Sequence, residues 1–163
     1  MTDVDLVQAQ YGGTLYDWCD EKIRDGNFAT NTTWYASVNT GGPPDPSPPN
    51  AGTNVQYTVG FSTYATVTDV RWAGGVNGNA GNTSANAYLY ICQDPAGVAW
   101  TQIDTVQYRN VTTGSWDRTI STGWKYVTGV RIYCSVWSAI GVSRCWPYEI
   151  QAHGLPMSQG YIL

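Results

Sequence analysis

The sequence predicts an all-β chain folded as an antiparallel β-sandwich or jelly roll. Three observations carry that prediction. Runs of strict two-residue alternation recur beyond residue 50, clusters of turn residues separate them, and no segment shows a convincing helical period. Aromatic residues, mostly Trp and Tyr, make up 13% of the chain and charged residues only 12%, so amphipathic rings serve both interior and surface. At 163 residues the chain suits one domain with a sizeable core.

Along the chain the elements follow in order. Residues 1–20 have no strong period, and "LYDWCDEKIRDG" is compatible with a helical turn or with a strand. "RDGNFATNTTW" (24–34) then crowds Asp25, Gly26, Asn27 and Thr30 ahead of Trp34, which is expected in the core beneath. Such side chains either bond their own backbone to make a turn or offer oxygens to a cation. The proline-rich "NTGGPPDPSPPN" (39–50) cannot feed a sheet ladder and is read as an exposed loop.

"NVQYTVGF" places Val55, Tyr57, Val59 and Phe61 on one face, with Gln56 and Thr58 opposite. "ATVTDVRWAG" is a further Thr/Val-rich run, and the Gly/Asn-rich "GGVNGNAGNTSAN" (74–86) is read as a long loop. "AYLYICQ", apolar on both sides, reads as a central strand. The turn "DPAG" leads into the strand "VAWTQIDTVQ". "YVTGVRIYCSVW" puts Val130, Ile132, Cys134 and Val136 on one face, and "WPYEIQAHG" makes a last strand.

Taken in order, these motifs resemble the discoidin domain, also called the coagulation-factor C-type domain, and the related galactose-binding carbohydrate modules. "KIRDGNFATNTTW" is similar to that family's opening segment, and "VQYTVGF" to its first long strand. "AYLYICQDPAGVAWTQI" resembles its strand, Asp-x-x-Gly turn and Trp-Thr strand; "YVTGVRIYC" and "YEIQAHG" resemble its closing strands. The likeness divides the chain into an N-terminal arm (1–18), a discoidin-like domain (19–154) and a C-terminal tail (155–163). It departs from the family at the Cys-Gln of "ICQDPAG" and in the two unusual loops, where family members often carry ligand contacts.

The resemblance also implies a structural Ca²⁺, held by Asp25, Asn27, Thr30 and Glu149, with backbone carbonyls near Lys22 and Tyr148 as further donors. Calcium favours six to eight oxygens in flexible geometry, and Gly26 lets the backbone turn sharply between ligands. Its role would be to pin a loop.

Composition excludes other classes. The net charge is −4, and eight scattered Lys and Arg form no basic stripe, so nucleic acid is not an expected partner. No apolar run approaches the ~20 residues that cross a bilayer, and the N-terminus lacks the pattern of a signal peptide. Cys19, Cys92, Cys134 and Cys145 allow either packed thiols or disulfides, and no CxxC supports zinc. One histidine, His153, and no recognisable nucleophile or metalloenzyme motif make catalysis unexpected.

The expected function is therefore non-catalytic carbohydrate binding, in surface recognition or adhesion at an extracellular or particle surface. Candidate ligand contacts are Tyr35, Trp72, Asn77, Asn79, Trp137, Arg144 and Trp146, aromatic platforms and polar groups at loops that a sandwich gathers at its ends. The alternative is a structural or decoration subunit of a virus particle, phage tail or extracellular assembly, meeting other subunits or further copies of itself through the apolar tail "LPMSQGYIL".

Overall fold

The alternating stretches become strands in a computed structural model of the chain, which describes residues 4–11, 14–18, 23, 25–28, 36–40, 54–78, 83–138 and 141–157. The strands are β1 (Val4–Tyr11), β2 (Thr14–Trp18), β3 (Ala36–Thr40), β4 (Asn54–Asn77), β5 (Thr83–Cys92), β6 (Trp100–Arg109), β7 (Thr113–Ser138) and β8 (Gly141–Pro156). Every pairing between them is antiparallel.

Two strands are long enough to serve twice. The first part of β4, to Gly60, pairs with β1 and with residues 129–135 of β7; beyond Ala65 it pairs with residues 113–127 of β7 and with β8. Register shifts between Gly60 and Asp69 mark the bend. Opposite it, Tyr126 lies at φ 59° on β7, a left-handed backbone that a bulge demands of a bulky residue. The continuous sheet thus folds over itself. One layer reads β2-β1-β4-β7-β5-β6, and the other β3-β8-β4-β7.

Apolar side chains from both layers meet between them. Val55, Tyr57, Leu89, Ile91, Val130 and Ile132 face inward from the first layer, and Val67, Val70, Trp72, Val127 and Ile150 from the second. Burying each aliphatic side chain contributes about 1.5–3 kcal/mol. The Trp72 indole donates to Asp104 on β6 at 2.9 Å and packs against Trp116, with ring centroids 5.4 Å apart. Cys92, Cys134 and Cys145 are buried free thiols. Cys134 and Cys145 touch across the core, where burial pushes the Cys134 thiol well up.

The inward faces of "NVQYTVGF" and "YVTGVRIYCSVW" match the expected residues, with Phe61 half-buried at the bend. The sequence reading differs at three places. Within the segment 1–18, set apart as an arm, β1 and β2 pair with each other, and β1 extends the first layer beside β4. β8 carries the closing strand to Pro156, into the segment assigned to the tail. Gly74, Gly75, Val76 and Asn77, assigned to a loop, continue β4, and β5 begins at Thr83. These glycines make room for rings. A Cβ on Gly74 would lie 2.1 Å from the Trp116 ring and 2.5 Å from the Trp146 carbonyl oxygen; one on Gly75 would meet the Tyr148 hydroxyl. Trp34 and the proline-rich loop fall outside the described residues.

Candidate functional site

Because side chains alternate along a strand, the buried set of β4, β5 and β7 fixes what the other face of the first layer carries. Registers place its outward residues in tiers. Gln56 stands beside Tyr133, Tyr88 and Thr105; the next tier holds Thr58, Arg131, Tyr90 and Gln102. On the other side lie Asn54, Ser135, Asn86 and Gln107, and beyond them Trp137, Ser84 and Arg109. From Gly129 to Trp137 the face runs about 26 Å at the usual rise of a strand.

The aromatic groups on this face are held in place. The Tyr88 and Tyr133 rings lie 5.9 Å apart and Tyr88 and Tyr90 6.3 Å apart, all three half-buried. Burial pushes the Tyr90 and Tyr133 hydroxyls up, which keeps them protonated donors at neutral pH. Arg109 donates to the Asn86 side-chain oxygen at 3.0 Å. Trp137, 60% exposed, ends the face. Aromatic faces flanked by amides, hydroxyls and guanidinium groups suit a ligand with both C–H surfaces and hydroxyls.

A cleft opens at the opposite end of the face. Trp100 lies over Gly129, the nearest ring carbon 3.3 Å from where a Cβ would stand, and the Arg131 guanidinium stacks on the indole at 3.7 Å from its centroid. Arg131 Nε donates to Thr58 Oγ1 at 3.0 Å. The wall is the "DPAG" turn, which Asp94 ties together by accepting from the amides of Ala96, Val98 and Ala99. The Trp100 indole donates to the Gly97 carbonyl at 2.9 Å. Those three amides hold the Asp94 carboxyl below its ordinary range.

The outer face of the second layer carries the "RDGN" loop. Ile23 is fully buried, and Phe28 lies against the Arg71 guanidinium, 3.6 Å from its ring centroid. Arg71 itself forms a bidentate pair with Asp117 at 2.9 and 2.6 Å. The Gly26 amide, at φ 83°, donates to Glu149 Oε2 at 3.2 Å, and the Asn27 amide donates to Asp25 Oδ1 at 2.7 Å. Glu149 is fully buried, and its Oε1 has no hydrogen-bond partner. Burial pushes its carboxyl up to about 7; the Gly26 amide opposes the rise and the neighbouring Asp25 carboxylate adds to it.

Part of the set that the family resemblance implies is brought together. Asp25 lies beside Glu149, which comes from the far end of the chain, and the Asn27 amide bonds back to Asp25, while Thr30 and Lys22 fall outside the described residues. Asp25 accepts from the Asn27 amide, as in a turn that bonds its own backbone, while Glu149 Oε1 is left without a partner among the described residues. Among the described residues no group of three or more His, Cys, Asp or Glu gathers, so the charge there is modest.

The expected ligand set comes together only in part among the described residues. Trp72 is fully buried, because its indole is part of the core and hydrogen-bonds Asp104; it is a packing residue and offers no platform. Trp137 lies on the outer face of the first layer, whereas Arg144 and Trp146 alternate with buried Ser143, Cys145 and Pro147 on the outer side of the second. Asn77 is exposed at the end of β4, level with Arg144. Tyr35 and Asn79 lie outside the described residues. Tyr88, Tyr90, Trp100, Arg131 and Tyr133 were missed. Their signal was present: they are the complement of the buried alternation in "AYLYICQ" and "YVTGVRIYCSVW". His153 pairs with Asp69 at 2.5 Å on an exposed edge of the second layer.

No protein-family model matches the sequence, and no curated protein matches it. Among solved structures the chain is similar to an F5/8 type C domain of a Bacteroides fragilis protein, at 13% identity over 84% of this chain and 81% of that one, with a TM-score of 0.40. It is similar to CBM28, a carbohydrate-binding module specific for non-crystalline cellulose, at 12% identity over 91% and 80% of the two chains, with a TM-score of 0.45. A xylan-binding CBM22 domain from Paenibacillus barcinonensis gives 12% identity, 82% and 97% coverage, and a TM-score of 0.38.

Proposed function

We propose that the chain is a non-catalytic glycan-binding module whose ligand surface is the outer face of its first layer. The observation that carries this reading is the tyrosine cluster of Tyr88, Tyr90 and Tyr133, half-exposed on a sheet face and bordered by Gln56, Asn86 and Arg131. Sugar rings present apolar C–H faces that stack on aromatic rings, and hydroxyls that amides and guanidinium groups satisfy. A face about 26 Å long accommodates a run of sugar rings rather than one terminal unit. Such a surface acts in recognition or adhesion outside a cell or on a particle.

Calcium belongs to this reading as a structural ion. Asp25, Asn27 and Glu149 would hold it, and it would supply charge balance to a buried carboxylate and fix the "RDGN" loop on the second layer. That loop lies on the other layer from the tyrosine face, so the ion would act on stability.

A glycan array with the intact protein tests the function, followed by titration of the best ligand into Tyr133→Ala. Binding that falls at least tenfold in the variant, with the fold intact by circular dichroism, supports the assignment. An array without signal at high protein concentration, with and without calcium, overturns it.

A further inference from the structure

We propose that the cleft beside Arg131 is an acidic-sugar subsite, in which the guanidinium takes the carboxylate of a uronic-acid unit while its ring rests among the flanking aromatics. The inference rests on the glycan-binding reading and names the ligand class of one end of that face.

The cleft holds about 460 Å³. Thr58, Thr128 and Arg131 form its floor, with Phe61 and Tyr64 of the β4 bend on one side and Trp100 on the other. Arg131 is held from two directions, by the indole stacked on it and by its Nε bond to Thr58. Stacking and the Nε bond leave the outer edge of the fork, its Nη atoms, as the part that can meet a ligand. Among the described residues no carboxylate pairs with Arg131. Asp94, the acid of the adjoining turn, is committed to three backbone amides.

A half-buried guanidinium without a counter-charge is costly to desolvate, and burial pulls the Arg131 pKa down. A planar carboxylate relieves that cost best, because two parallel N–H···O bonds match the fork. The stacked, tethered side chain is already immobilised, so little rotamer freedom is lost on binding. With a net charge of −4, the chain does not attract polyanions indiscriminately, which makes the preference local to this fork.

The test is calorimetric titration of the intact protein with a galacturonic-acid trimer, its methyl ester and a neutral hexose trimer. The proteins are wild type, Arg131→Gln and Arg131→Lys. The expected result is at least tenfold tighter binding of the acid than of its ester by wild type. That preference disappears in Arg131→Gln and shrinks in Arg131→Lys. Equal affinity of wild type for acid and ester, with the neutral trimer bound, overturns the acidic subsite and spares the glycan reading. Failure to bind any of the three, together with a silent array, overturns both. The acid-to-ester ratio in wild type decides the proposal even where a variant does not fold.

Discussion

Glu149 makes the stability of the protein depend on pH in an unusual direction. In the unfolded chain its carboxyl titrates near 4.5, and in the folded protein at about 7. A raised folded pKa means that the native state holds the proton more tightly. The contribution is therefore fully present below pH 4.5 and is lost as pH rises to about 7. At 1.36 kcal/mol per pKa unit the loss is about 3–4 kcal/mol at most, and water at the exposed Asp25 edge brings the expected figure to about 2 kcal/mol. Asp69, Asp94 and Asp117, whose carboxyls are held low by partners, act with the opposite sign and at lower pH, outside this window. Urea unfolding between pH 4.5 and 8, in the presence of chelator, measures the slope. Glu149→Gln, which keeps the shape and removes the charge, should flatten it. A cation held between Asp25 and Glu149 pulls the carboxyl down, so millimolar calcium should restore stability near pH 7 and release a proton on binding. A wild-type protein whose stability is flat across this range, or a Glu149→Gln protein that keeps the slope, refutes the argument.

Other expected outcomes follow from packing and exposure. Gly74→Ala should destabilise by about 3 kcal/mol in denaturant unfolding, because its Cβ meets the Trp116 ring and the Trp146 backbone at the same time. Trp72→Phe should cost about 2–4 kcal/mol, leaving Asp104 without its indole donor, while glycan affinity stays as in wild type. Tyr133→Ala should weaken binding at least tenfold, about 1.4 kcal/mol, and lower the unfolding midpoint modestly through the lost contact with Tyr88. Cys92, Cys134 and Cys145 should resist a thiol reagent in the native protein and react only on unfolding; rapid labelling of all three without loss of structure would contradict their burial.

The sequence showed the inward side of the fold better than the outward one. In "YVTGVRIYCSVW" the apolar set alternates strictly, so Val130, Ile132, Cys134 and Val136 were readable as core. The outward residues of the same run have no periodic requirement of their own, and only the register with β5 brings Tyr133 against Tyr88. Gly74 and Gly75 looked like loop because glycine usually marks one; their reason lies in Trp116 and Tyr148, far away in sequence. Trp72 looked like a platform because it precedes an Asn-rich stretch, although the strand carries on past it. Residues 4–18 gave no period, and partnership with β4 makes them strands. The pairing of the "RDGN" loop with Glu149 was legible because an order of motifs, not a local pattern, pointed to it.

The passage of β4 and β7 through both layers has a consequence for how the molecule comes apart. A sandwich whose halves are separate sheets can shed one and keep the other. Here each half shares the same two lengths of chain, so prying the layers open tears their common strands out of register. Loss of structure should be all-or-none, and assembly slow, since closing this weave needs partners distant in sequence before any stretch is secure.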